Sequence, residues 1–70
     1  MNDLLAAIRA TGAPATITGE TIFVGQWGIF CSLTGRIQAR NVWDSSERYG
    51  LGDCNTPVDA IAANVAALCM

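Results

Sequence analysis

The side chains best suited to chemistry are four carboxylates in the second half of the chain, those of Asp44, Glu47, Asp53 and Asp59. Grouped carboxylates hold divalent cations or move protons. Their spacing fits no calcium loop, because an EF-hand places oxygen ligands at alternate positions and closes with a glutamate. A solvated loop followed by a helix cap is the simpler interpretation. The sequence therefore predicts no metal site.

Two residue types that most catalytic sites need are missing, since the chain contains no histidine and no lysine. Without histidine, a serine or cysteine nucleophile has no imidazole base, and zinc has no Cys/His ligand set. Without lysine there is no Schiff base and no phosphate-loop lysine. We therefore predict no catalytic residue and no cofactor. Such a protein is expected to act by binding rather than by transforming a substrate.

Length and cysteine content predict one domain, residues 1–70, in a reducing compartment. Cys31, Cys54 and Cys69 are odd in number and form no C-x-x-C pair, and the first residues lack the basic start of a signal peptide. These features favour free thiols and a cytoplasmic location, the cytoplasm of the host if the chain is phage-encoded. The uncharged run 21–35 is interrupted by Gly25, Gln26 and Gly28 and is shorter than the ~18 apolar residues of a membrane span. No membrane span is predicted.

The hydrophobic periodicity predicts the order helix, three strands, helix, an α+β fold. Leu4, Leu5 and Ile8 give the first helix an apolar stripe, and Gly12 with Pro14 ends it. Three predicted strands follow, at residues 16–24, 27–33 and 36–43, and then a polar loop at 44–55; Gly19 is expected to form a bulge or an early turn in the first strand. The strands are expected to form an antiparallel meander with both helices on one face. Trp27 and Trp43 are expected in the core.

The start of the last helix carries capping residues, with Thr56 as the predicted N-cap, Pro57 at the first helical position and Asp59 at the third. Its outer face is unusual because it carries no charge after Asp59. A second chain is one explanation, since small side chains allow close approach; the other is that alanine is a strong helix former. The predicted dimer interface consists of Ala60, Ala63, Ala66 and Ala67.

Alternation along the third strand predicts the surface that contacts a partner. Arg36, Gln38 and Arg40 share one side, away from Trp43, and this side is expected to be partly exposed. The long loop that follows is the other candidate, because loops of this length in small domains are often functional. The predicted partner-binding residues are Arg36, Gln38, Arg40, Asp44, Glu47, Arg48 and Tyr49.

The stretch Gly50-Leu51-Gly52-Asp53-Cys54-Asn55-Thr56-Pro57-Val58-Asp59-Ala60-Ile61 resembles the strand-to-helix junction of HicB-type antitoxins. It is also similar to junctions in small phage and prophage proteins. The resemblance implies a capped helix laid on a small antiparallel sheet and, as a function, an antitoxin-like dimer that neutralises a toxin. The predicted element order also resembles double-stranded-RNA-binding domains and HicA-like toxins, but the basic second helix and the catalytic histidine of those families are missing here.

Charge argues against nucleic acid as the main partner, because four arginines face six acidic residues and the net charge is −2. The leading hypothesis is a non-enzymatic, phage-type inhibitor that occludes a surface of a host protein or protein complex, for example an anti-CRISPR protein. The first alternative is the antitoxin-like homodimer. The second is a weak single-stranded nucleic-acid binder that uses Arg36 and Arg40 beside aromatic side chains.

Overall fold

The computed structural model describes residues 2–69, which form a helix, a five-stranded antiparallel sheet and a second helix. The strands pair in chain order, each antiparallel to the next, so the sheet is a meander. The elements are α1 (Asn2–Ala10), β1 (Ala15–Thr18), β2 (Thr21–Val24), β3 (Trp27–Cys31), β4 (Arg36–Asn41), β5 (Arg48–Asp53) and α2 (Val58–Cys69).

The predicted three-stranded sheet is wrong because a turn divides the first predicted strand and because one strand was not recognised. The predicted first strand, 16–24, is two strands joined at Gly19 and Glu20, and Gly19 takes a φ of 62°. A two-residue hairpin loop of this kind needs positive φ at its first position, which glycine supplies without strain. The predicted loop, 44–55, contains β5. The glycines at 50 and 52 hide this strand, because glycine disfavours strands in general.

The core lies on one side of the sheet, where the buried side chains of both helices meet those of the strands. Apolar residues that alternate along the strands point to this side, as the pleat requires. Trp27 is 5% exposed, as predicted, whereas Trp43 is 82% exposed and the prediction that it is buried is wrong. The buried cluster consists of Leu4, Leu5, Ile8, Ala15, Ile22, Val24, Trp27, Ile29, Ala39, Leu51, Ile61, Ala62 and Val65.

A hydrogen-bonded turn joins β5 to α2 and fixes where the helix begins. The Asp53 carboxylate accepts hydrogen bonds from the backbone N–H groups of Asn55 (2.8 Å) and Thr56 (3.1 Å). The Thr56 hydroxyl accepts from the Asp53 N–H at 3.1 Å and donates to the Asp53 carboxylate at 3.2 Å. Thr56 thus stabilises the turn rather than a helical N–H. Farther along α2, the Asn64 side-chain amide donates to the Leu51 carbonyl at 2.9 Å and ties the helix to the strand.

Three residues of the predicted dimer interface, Ala60, Ala63 and Ala67, are exposed on α2, and Ala66 is half-buried. The core side of the same helix is formed by Ile61, Ala62 and Val65. The helix is therefore covered on one side by its own chain. Dimerisation through its outer face stays a prediction.

The turn after β5 predicts that Gly52 resists substitution. Gly52 has a φ of 148°, and a Cβ there lies 2.8 Å from the Thr56 hydroxyl oxygen. Gly52→Ala is expected to lower the free energy of unfolding by about 1–3 kcal/mol through backbone strain and collision with Thr56. Urea denaturation of the purified protein measures this loss. Gly50→Ala is the matched control, because a Cβ at Gly50 meets no atom within 4 Å; equal losses for both variants would contradict the assignment.

Candidate binding surface

One face of the sheet is not covered by the helices, and it carries three of the four arginines of the chain. Ile37, Ala39 and Asn41 of β4 point toward the core side, so Arg36, Gln38 and Arg40 point to the opposite side. Arg48 of β5 is the direct cross-strand partner of Arg40 and therefore shares its face. We name this surface the arginine face; its members are Phe23, Phe30, Arg36, Gln38, Arg40 and Arg48.

Two phenylalanines lie beside the arginines on the same face. Phe30 pairs with Gln38 across β3 and β4, and the Arg40 guanidinium carbon is 5.8 Å from the centroid of the Phe30 ring, which is a cation–π distance. Phe23 lies above Gly28, since a Cβ at Gly28 would be 3.7 Å from its ring. The arginine face therefore combines an apolar strip with a cationic strip.

Two of the three cations of the arginine face lie opposite each other rather than opposite a carboxylate. Arg40 and Arg48 are directly opposite on neighbouring strands, an arrangement that destabilises a sheet when both side chains carry the same charge. Arg36, in contrast, is opposite Asp53, an opposite-charge pair, and the Asp53 carboxylate also accepts hydrogen bonds from Asn55 and Thr56. The fourth arginine, Arg9, lies on α1, where its Nε donates to the Ala15 carbonyl at 2.9 Å.

The structure divides the predicted partner-binding residues between two places. Arg36, Gln38, Arg40 and Arg48 lie together on the arginine face. Tyr49 lies on the core side of the sheet, where its ring packs edge-on against Trp27 with centroids 5.4 Å apart. Its hydroxyl donates to the Glu47 carboxylate at 3.3 Å. Asp44 and Glu47 belong to the segment between β4 and β5, residues 42–47, which we name the tryptophan loop.

Hydrogen bonds at both ends hold the tryptophan loop in one conformation. The loop closes onto β4 because the Asn41 N–H donates to the Glu47 carbonyl at 3.0 Å. The buried Asn41 side chain accepts a hydrogen bond from the Trp43 N–H at 2.9 Å. Inside the loop, the Asp44 carboxylate accepts from the N–H and the hydroxyl of Ser46, at 3.1 and 2.6 Å. The loop is therefore ordered by its backbone while the Trp43 ring stays exposed.

The predicted partner-binding residues do not include Phe23, Phe30 or Trp43, although the nucleic-acid alternative already placed aromatic side chains beside Arg36 and Arg40. Phe23 stands between Ile22 and Val24 in an uninterrupted apolar run, which gives no sign of the side that faces the core. In the sequence, Trp43 continues the alternation of β4 and is therefore expected on the core side. The strand ends at Asn41, so the alternation does not apply to Trp43. Alternation along β3 places Gly28 and Phe30 on one face and Trp27 and Ile29 on the other. This pattern was the sequence signal that could have assigned Phe30 to the open face of the sheet.

The described part of the chain shows few other sites for chemistry. Residues 2–69 contain no group of three or more His, Cys, Asp or Glu side chains arranged to hold a metal ion. Cys31, Cys54 and Cys69 are exposed and are not joined in disulfides. Neither α1 nor α2 has the length and apolar character that crossing a membrane requires. The arginine face and the tryptophan loop are the two surfaces on which exposed aromatic and charged side chains lie together.

Comparisons of the chain with protein-family models, with curated proteins and with solved structures found no match.

The tryptophan loop predicts a measurable shift at Asp44. The hydroxyl and then the N–H of Ser46 donate to its carboxylate and hold the pKa of Asp44 below its usual value. Because the folded-state pKa is lowered, the stabilisation is present at neutral pH and is lost as the pH falls through that pKa. Carbon-detected NMR titration measures the pKa directly. In Ser46→Ala the Asp44 pKa is expected to rise toward its usual value, and an unchanged pKa would contradict the hydrogen-bond assignment.

Proposed function

We propose that this chain is a non-enzymatic binding protein whose arginine face occludes an acidic surface of a host protein complex. Small phage-encoded inhibitors of host defence complexes, including anti-CRISPR proteins, are the kind of protein that acts in this way. One observation carries the proposal: Arg40 and Arg48 stand directly opposite each other on an uncovered sheet face.

The Arg40–Arg48 pair favours a binding role because the two guanidinium charges repel each other in the free protein. Like charges directly opposite each other in an antiparallel pair are destabilising, whereas an opposite-charge pair at the same positions contributes about 0.2–1 kcal/mol. An anionic partner removes the repulsion and uses both guanidinium groups for charge-assisted hydrogen bonds. The arrangement is therefore unfavourable in isolation and favourable in a complex.

The side chains around this pair are of the types that dominate protein–protein interfaces. Arginine and aromatic residues are enriched at the centre of such interfaces, where they contribute most of the binding energy. Phe23 is 37% exposed and lies next to the cationic strip, so the partner surface is expected to be acidic with an apolar centre. Arg40 is already held against Phe30, which reduces the conformational freedom lost on binding.

Single-stranded nucleic acid is the second candidate, because aromatic rings beside arginines also stack and neutralise nucleotides. The Phe30–Arg40 contact is the observation that favours it. The arginine face has only three arginines, however, and this limits the affinity for nucleic acid. Contacts to about three phosphates give a salt slope of only about −2 for a single strand, which corresponds to weak binding at physiological salt. The protein partner is therefore the better-supported proposal.

The proposal is tested by affinity capture from a bacterial lysate with wild-type protein and with an Arg40→Gln/Arg48→Gln double variant. The wild type is expected to retain one dominant protein after nuclease treatment, and the double variant is expected to lose it. Arg9→Gln is the control, since it removes an arginine that lies outside the arginine face. Capture that disappears with nuclease would assign the face to nucleic acid, and capture unaffected by the double variant would overturn the proposal.

The like-charge pair also predicts that stability and binding change in opposite directions. Arg48→Glu places an acidic residue opposite Arg40, and the free energy of unfolding is expected to rise by up to about 1 kcal/mol. The same change reverses one charge of the face and is expected to abolish partner capture. Urea denaturation and the capture assay measure the two effects. A variant that loses both stability and binding would instead indicate a structural role for Arg48.

A further inference from the structure

We propose that Trp43 and the carboxylates of the tryptophan loop form a second binding surface, which takes a partner segment presenting arginine or lysine side chains. This inference goes beyond the arginine face, because it concerns a different segment and a partner of the opposite charge. Its central observation is a tryptophan that is 82% exposed on a loop closed by hydrogen bonds at both ends.

Trp43 is fixed without being packed, which is the property of an anchor residue. Its N–H is held by the buried Asn41 side chain, and the Asp44 N–H donates to the Asn41 carbonyl at 3.2 Å. The Glu47 N–H in turn donates to the Asp44 carbonyl at 3.0 Å. Because its backbone is already ordered, the loop loses little conformational entropy when a partner covers the indole. Tryptophan is also among the residues most enriched at binding hot spots.

The charges around Trp43 indicate the chemistry of the partner. Asp44 follows Trp43 directly, and the hydroxyl and the N–H of Ser46 donate to its carboxylate and hold its pKa below the usual value. Glu47 closes the loop and contacts the hydroxyl of Tyr49, whose ring is 46% exposed. An indole face attracts cations through its quadrupole, and nearby carboxylates attract the same groups. Arginine or lysine side chains satisfy both features.

One cation, Arg48, borders the loop and contacts its backbone. Arg48 follows Glu47, and its Nε donates to the Ser45 carbonyl at 3.1 Å. Its side chain belongs to the arginine face, on the opposite side of the sheet from Tyr49. The cationic arginine face and the acidic, aromatic tryptophan loop therefore meet at the β4–β5 connection.

A second surface also meets a need of the proposed function. With strands about 4.8 Å apart and about 3.3 Å per residue, the arginine face from β2 to β5 measures roughly 14 by 17 Å, an area of about 240 Å². This is smaller than the ~800 Å² that each partner contributes to a typical stable interface. The tryptophan loop adjoins the face and adds contact surface for a segment of the partner that presents arginine or lysine side chains.

The test uses the purified 70-residue protein and a fluorescein-labelled octapeptide of alternating arginine and glycine, followed by fluorescence anisotropy. Saturable binding with a Kd below about 1 mM is expected. Trp43→Leu keeps an apolar side chain but removes the indole quadrupole, and it is expected to weaken binding at least about threefold. Asp44→Asn with Glu47→Gln is expected to weaken it further. Leu33→Ala is the control, because Leu33 is fully exposed in a separate turn.

The outcomes distinguish binding at the tryptophan loop from binding at the arginine face. Peptide binding that survives in Arg40→Gln/Arg48→Gln, while capture of the acidic partner is lost, shows two independent surfaces. Equal affinity of Trp43→Leu and Leu33→Ala would overturn the inference. It is also overturned if no saturation occurs, or if an octapeptide of alternating glutamate and glycine binds equally well. Circular dichroism of Trp43→Leu checks the fold, which the exposed ring is expected to leave unchanged.

Discussion

The structure depends on one constraint, which is that two short helices can cover only one face of a five-stranded sheet. α1 has nine residues and α2 has twelve, and the buried side chains of both meet the same side of the strands. Every strand must therefore alternate between an apolar side chain on the covered face and a solvated one on the other. The position of each arginine on β4 and β5 follows from this alternation.

The same constraint separates the charges of a chain that is mildly acidic overall. Arg36, Arg40 and Arg48 are confined to the open face, whereas Asp44 and Glu47 belong to the loop that leaves the sheet. The net charge of −2 is therefore the sum over a chain that has both a cationic surface and an acidic one. Composition alone argued against nucleic acid as the main partner, and it gave no sign that the strands group three cations on one side of the protein.

Residues in strongly periodic segments were predictable, and residues next to glycines were not. The stripes of Leu4, Leu5 and Ile8 and of Ile61 and Val65 identify the two helices and their buried sides. β5 escaped prediction because it contains two glycines and buries only Leu51, so its pairing with β4 provides the stability that its own sequence lacks. Trp43 was placed in the core because its size suggested burial, but the strand ends before it. The grouping of Arg36 with Arg40 was predictable from alternation; the addition of Arg48 required the unrecognised strand.

The central claim, that the open sheet face is the surface that contacts the partner, is tested most directly by arginine modification of the free and partner-bound protein. Phenylglyoxal reacts with accessible guanidinium groups, and mass spectrometry of the digested protein locates the modified residues. Binding is expected to protect Arg36, Arg40 and Arg48 while Arg9 on α1 stays reactive. Equal reactivity of all four arginines in both states, or protection of Arg9 alone, would contradict the account.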